Sequence, residues 1–312
     1  MYIEMSKSAN SHDQHLSDKK LPSNKNNHEQ EPSQKHDLSG DLSVTALYTA
    51  GVWHWAGFKY SELLSSIESE RVFKVTNFAL GVMRLFRWNL PRLPQGLAQR
   101  HQLIDQLSQE SQAHTIIELA SGLSTRALRL SHAPKLSSLQ QYIEIDLPHV
   151  IAHKRECLEQ QDQLSSIVKF LSQDLKRFKA DEFQENVTLS EPITMIAEGL
   201  VMYLTAEELK VLFTELSILL QSHSGRLIFD WVPSIEEPPP GLIGKGLGYL
   251  MKLFTGGDSF ERDQRSRDDM KALLYDLGAH NVTLYDTHLV AQSRHLPFAH
   301  AKTQQLIFCA DF

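Results

Sequence analysis

The chain has 312 residues, 41% of them apolar, enough to bury a full core, and its formal charge of −7 argues against a general nucleic-acid-binding surface. Two cysteines, Cys157 and Cys309, cannot build a disulfide framework and read as reduced core thiols of a cytoplasmic protein.

Residues 1–40 are rich in Ser, Asn, Gln, His and Lys and lack apolar periodicity, which predicts a disordered tail. The tail has no apolar run of the secretory type. His12, His15, His28 and His36 lack close ligand spacing, so no metal site is expected there. Helices are predicted over 44–57 and 71–88, and neither has the apolar length of a membrane span. Trp53, Trp55, Phe73 and Phe78 within them are expected to pack as core aromatics, and together they could shape a cavity.

The informative stretch begins at 115–119, TIIEL, a buried-strand run that leads into Ala120, Ser121 and Gly122, small enough for backbone to approach a ligand. A second strand over 141–145 places Glu144 and Asp146 on one face, and either carboxylate could accept from two ribose hydroxyls. Asp146 follows Gly122 by 24 positions, close to the roughly 20-residue offset of a ribose-binding acid. Leu123, Ser124, Thr125 and Arg126 supply no third glycine, so adenosine carrying an amino acid, as in S-adenosylmethionine (SAM), is favoured over NAD.

Further along, His149 and His153 sit four apart on a helix without a third ligand, and no metal is expected. Thr205 and Glu208 form a capping box before an apolar helix face of Leu209, Leu212, Phe213, Leu216, Leu219 and Leu220. The strand predicted over 226–231 ends in Asp230 and Trp231, with Pro233 beyond, at an edge where α/β sheets bind ligands. The Gly-rich apolar segment within 235–262 reads as a lid insertion, a surface helix or a lipid-facing segment. A helix from 266 to 277 and strands over 281–286 and 305–310 complete the pattern.

The blocks ELASGLSTRALRL, YIEIDLPHVIAHKR, SQDL and AEGLVMYL occur in this order in leucine carboxyl methyltransferases and their bacterial O-methyltransferase relatives, which the chain resembles from about residue 42 onward. The resemblance implies an α/β class I SAM-dependent methyltransferase fold, Rossmann-like, with a mostly parallel seven-stranded sheet. It also implies an N-terminal helical cap over 41–110, a core over 111–312, and methyl transfer to a carboxylate or hydroxyl oxygen. By the same resemblance Arg100 partners the SAM carboxylate, Ala120 and Gly122 lie against the cofactor, Asp146 (or Glu144) holds the ribose, Asp174 and Leu175 surround the adenine, and Glu198 meets the methionine amino group.

The chain departs from the family turn, G-A-G-x-D-T-R, by placing Ala120 at a glycine and Ser124 at an acid, which removes one partner for Arg126. A positive φ at Ala120 would cost on the order of 1 kcal/mol. An ionised carboxylate acceptor requires no general base, whereas an alcohol would; His288, His295 and Glu198 are candidates and none is assigned. Tyr203 and Trp231 are candidates for holding the acceptor, which is expected to be a small molecule or a carrier- or protein-borne acid. The rival functions are an NAD-dependent oxidoreductase and a SAM-binding protein without turnover.

Overall fold

The computed structural model describes residues 42–85, 92–161, 164–231, 265–301, 303 and 305–312. Seven strands form one sheet: β1 Thr115–Leu119, β2 Gln141–Asp146, β3 Val168–Ser172, β4 Ile193–Ala197, β5 Arg226–Trp231, β6 Asn281–Asp286 and β7 Leu306–Asp311. Their order is β3-β2-β1-β4-β5-β7-β6, parallel except for β7, which runs antiparallel to both β5 and β6. The chain order reverses between β1 and β4, so their carboxyl ends open a crevice there, the place where doubly wound sheets bind ligands. Every residue of β1 and β4 is buried, as parallel strands covered on both faces require.

The helices are α1 Val44–Trp55, α2 Ile67–Leu85, α3 Leu93–Glu110, α4 Arg126–Ser131, α5 Pro148–Glu159, α6 Ala180–Asn186, α7 Ala206–Ser222, α8 Arg267–Asp276 and α9 Thr287–Val290. Thr205 and Glu208 close the predicted capping box of α7, each accepting from the other's backbone N–H. Ser266 and Asp269 do the same for α8. The apolar stripe of α7 packs on one sheet face with Phe213, Leu216 and Leu220 against Phe229 and Phe308. On the other face, Leu103, Ile104 and Leu107 of α3 meet Ile116, Ile196, Ile228 and Ile307, each such side chain contributing about 1.5–3 kcal/mol. That packing fixes the phase of α3 and turns its N-terminal half, with Arg100 and His101, toward the crevice.

Helices α1 and α2 lie side by side, and the approach is close at Gly51. A Cβ there would stand 2.6 Å from Phe73 Cβ and 2.8 Å from the Ser69 carbonyl oxygen, so any side chain would push the helices apart. Trp53 is buried, whereas Trp55 is partly exposed and stacks on Phe298 with centroids 4.8 Å apart. Phe78, expected in the core, is 75% exposed, because it lies on the face of α2 turned from α1. The α2 helix also begins four residues before the expected position 71. The expectations for a tail over 1–40 and a lid over 235–262, as well as Pro233, lie outside the described residues. Among the described residues no helix is long and apolar enough to cross a membrane.

Candidate functional site

A cavity of about 430 Å³ opens at the carboxyl ends of β1, β2 and β4. Arg100, Ala120, Gly122, Asp146, Asp174, Leu175 and Glu198 all line it, brought together from α3 and from the loops after β1, β2, β3 and β4.

The turn after β1 has the left-handed conformation that small residues permit. Gly122 has φ +50 and Ala120 has φ +51, so Ala120 carries the strain that a methyl group imposes there, on the order of 1 kcal/mol. The Gly122 N–H donates to Asp146 Oδ2 at 2.7 Å, and the Leu147 N–H donates to Asp146 Oδ1 at 2.7 Å. Burial raises the Asp146 carboxyl, and these two N–H groups oppose the rise. Glu144, two residues earlier, is wholly buried and does not line the cavity; Lys154 Nζ lies 2.7 Å from its Oε2, an ion pair by proximity without hydrogen-bond alignment. Burial lifts Glu144 to about 7 despite Lys154. Lys154 also reaches the Ser121 hydroxyl at 3.4 Å, which couples α5 to the turn.

Ser124, at the position of the family acid, accepts from the Arg126 backbone N–H at 3.1 Å at the start of α4. Arg126 has ample acidic partners without that acid. Its wholly buried guanidinium meets Asp105 through Nε at 2.6 Å, Glu118 through Nη1 and Glu198 through Nη2. Glu118 Oε2 also accepts from the Tyr142 hydroxyl at 2.6 Å.

Glu198 rests on side-chain partners from α3 and α4. Its Oε1 accepts from Arg100 Nε at 2.8 Å, and its Oε2 is shared by Arg126 and His101. Arg129 Nη2 stands 2.5 Å from His101 Nε2, while Nδ1 lies 2.8 Å from Glu198 Oε2 and 2.7 Å from Arg126 Nη2, so a guanidinium reaches each ring nitrogen. Burial, and then Arg126, push His101 down to about 4. The ring is thus neutral at pH 7, and the arginines supply the positive charge beside Glu198. Burial alone would raise the Glu198 carboxyl; His101, Arg126 and Arg100 overcome it and hold it well below the usual carboxylate range. Trp53 stacks on His101 at 4.0 Å and Phe58 meets it edge-on at 4.9 Å, so α1 and the loop after it clamp the ring.

Arg100 is doubly held, by Glu198 and by Asp230 Oδ2, which accepts from Nη1 at 2.6 Å. Asp230 Oδ1 accepts from the Gly199 N–H at 2.5 Å, locking the turn after β4, where Gly199 has φ +69. Asp174 caps the short turn after β3, accepting from the Lys176 N–H at 3.0 Å.

Tyr203 lines the cavity and is hydrogen-bonded to Thr45 of α1. Trp231 does not line it: the side chain is buried against Phe308 at a ring distance of 5.7 Å, because it falls on the core face of β5. His288 and His295 lie away from the cavity, in α9 and the loop after it. The sequence reading missed His101, Asp105, Glu118 and Arg129. A signal was present in Glu118, a carboxylate inside an otherwise apolar strand, which demands a buried cation.

A protein of Mycobacteroides abscessus described as a "putative S-adenosyl-L-methionine-dependent methyltransferase" is 34% identical over 112 residues, 35% of this chain and 36% of that protein. A protein of Parafrankia sp. with the same description is 30% identical over 158 residues, 47% of each chain. The chain therefore spans between about a third and a half of the curated relatives it matches. The crystal structure of a "putative methyltransferase" from Thermobifida fusca shares the fold, with a TM-score of 0.55 at 13% identity over 88% of this chain and 96% of that one. The leucine carboxyl methyltransferase profile matches residues 60–217, just over half of the chain, which therefore belongs to the leucine carboxyl methyltransferase family.

Proposed function

We propose that the protein is an SAM-dependent O-methyltransferase acting on a carboxylate or hydroxyl oxygen of a small-molecule, carrier-bound or protein-borne acceptor. The observation that carries this reading is the convergence of Arg100, Ala120, Gly122, Asp146, Asp174, Leu175 and Glu198 on one cavity at the β1/β4 switch point.

The charge of the lining supports SAM. Of the charged residues on the cavity wall, Glu118, Asp174 and Glu198 stand against Arg100 and Lys176, one more anion than cations. Asp146 adds another carboxyl at the rim. Such an excess suits a ligand bearing a sulfonium and an ammonium against one carboxylate, and it opposes the paired phosphates of NAD. Arg100 has committed Nε and Nη1, and we assign its Nη2 edge, beside Gly199, to the cofactor carboxylate. Glu198, held ionised by its arginines, is assigned to the ammonium and Asp146 to the ribose hydroxyls.

SAM, when bound, supplies a methyl group already activated on sulfur. The protein's part is alignment and exclusion of water. Asp146, fixed by two backbone N–H groups, and Glu198, fixed by three side chains, orient the two ends of the cofactor without rearrangement. The two free thiols suit a reducing compartment, and the cytoplasm is the location we propose.

Calorimetric titration with SAM, its demethylated product and NAD tests the reading. Saturable binding of the first two and not of NAD is expected; NAD binding in place of SAM would support an oxidoreductase. SAM binding without turnover on a panel of acids and alcohols would support a regulatory SAM-binding protein.

A further inference from the structure

The turn after β1 sets a left-handed residue on either side of Ser121, with φ +51 at Ala120 and φ +50 at Gly122. Such conformations persist only where the surroundings over-determine them. Ser121 is buried and is held from several directions. Its N–H donates to the Ile145 carbonyl at 3.3 Å, and its own carbonyl accepts from the Ser124 N–H at 3.1 Å, both within the β1 loop and β2. Its hydroxyl reaches further and accepts from Lys154 Nζ of α5 at 3.4 Å.

The Lys154 side chain is 1% exposed, as is that of Glu144, whose Oε2 stands 2.7 Å from the ammonium. Neither Glu144 oxygen is aligned for a hydrogen bond among the described residues, so the hydrogen bond that the ammonium makes among them is the one to Ser121. A buried ion pair is on balance no more stabilising than apolar side chains of the same volume. Glu144 supplies the counter-charge that lets an ammonium stand inside the fold, and what that ammonium bonds is the turn. The same charge acts on Asp146, which the turn grips through the Gly122 N–H. Burial raises the Asp146 carboxyl, and the Gly122 and Leu147 N–H groups, then Lys154 and His149, both of α5, lower it. Glu144 is the neighbouring acid on β2.

We propose that Lys154 is a positioning residue of the cofactor site: seated beside Glu144, its ammonium holds Ser121 in the turn and supplies a positive charge to Asp146. The identity of the ligand rests on the methyltransferase reading above; the hold of Lys154 on the turn does not.

Amide hydrogen exchange of the ligand-free full chain, followed by NMR, reads the turn directly. In Lys154→Met the Ser121 and Gly122 amides are expected to exchange about three- to tenfold faster than in wild type. Calorimetric titration of the same proteins near pH 8 with the demethylated product of SAM should show affinity about three- to tenfold weaker in Lys154→Met, and no further loss, to within about twofold, when Lys154→Met is added to Ser121→Ala. With the positive charge at Asp146 gone, the loss of affinity on acidification should set in at higher pH in Lys154→Met than in wild type, a shift that a residue which only fills space would not produce. Unchanged exchange in the folded variant, an unshifted pH profile, or equal weakening by Lys154→Met with and without Ser121→Ala overturns the proposal. Glu144, already lifted by burial to about 7, takes up a proton when Lys154 is removed; if the single variant still does not fold, Lys154→Met combined with Glu144→Gln replaces it under the same expectations. Should wild type not bind the product at all, the cofactor reading fails, and exchange at Ser121 and Gly122 still decides whether Lys154 holds the turn.

Discussion

The Gly122 N–H donates to Asp146 Oδ2 at 2.7 Å, so the turn after β1 and the acid ending β2 are one mechanical unit. A ligand that grips Asp146 also reads the shape of the turn. Glu144, on the same strand face in the sequence pattern, is instead buried with Lys154.

The two carboxylates should therefore fail differently. Asp146→Ala is expected to weaken SAM and its demethylated product by about tenfold or more, the worth of a charge-assisted hydrogen bond, in calorimetric titration. Glu144→Ala should leave that affinity nearly intact but lower the unfolding free energy by about 3 kcal/mol, because Lys154 is left buried and unpaired. Loss of SAM affinity in Glu144→Ala alone would reverse the assignment.

At Ala120 the φ of +51 sets a test of strain. Ala120→Gly relieves about 1–2 kcal/mol in the native state and gives back about 0.4–1 kcal/mol through the freer unfolded chain, so a small net gain of stability is expected. Ala120→Val, β-branched at a left-handed position, should lose about 1–3 kcal/mol. Urea midpoints measure both, and equal stability of all three proteins would mean that the backbone is unstrained.

Arg100 is assigned here to fold and ligand together. Arg100→Ala should abolish measurable SAM binding and also destabilise by about 3–5 kcal/mol, since Asp230 and one oxygen of Glu198 lose their cation. Adding Asp230→Ala to that variant should restore part of the stability and none of the binding. A double variant as unstable as the sum of the singles would show that the pair is not coupled.

His101 predicts a pH dependence of definite sign. Its folded value of about 4 lies below the ordinary 6.5, so between these limits the unfolded state holds more protons and stability rises with pH. The contribution is complete above pH 6.5 and is lost as pH falls through 4, a span of roughly 2–4 kcal/mol. Glu144, raised to about 7, works in the opposite direction from its ordinary 4.5 upward, being stabilising when protonated. The His101 share is isolated by the difference between wild type and His101→Gln, which should shrink as pH is lowered from 6.5 to 4. A difference constant over that range would contradict a neutral buried ring.

Much of the strand loops' contribution to the site was legible locally. A strand, three small residues and an acid 24 positions beyond Gly122 are a short-range pattern, and β1 spans the predicted residues while β2 runs one residue further, through Asp146. Asp174, Leu175 and Glu198 were reached through the family blocks and Arg100 through the resemblance of QRHQLID to a family helix, and all line the same cavity. The choice between Glu144 and Asp146 could not be made that way, because alternation puts both on one face and only the packing of α5, which carries Lys154, decides which is sealed.

The sequence by itself determined the order of elements and the capping box at Thr205, since periodicity and turn chemistry act over a few residues. Only the tertiary structure decided how the charges are shared. Arg126 meets Asp105, Glu118 and Glu198 across separations of 21, 8 and 72 residues. His101 is kept neutral by burial and by the neighbouring Arg126. Such pairings are fixed by the energy of burying each group beside every other, a quantity that exists only once α3, α4 and the strand ends are closed on one another.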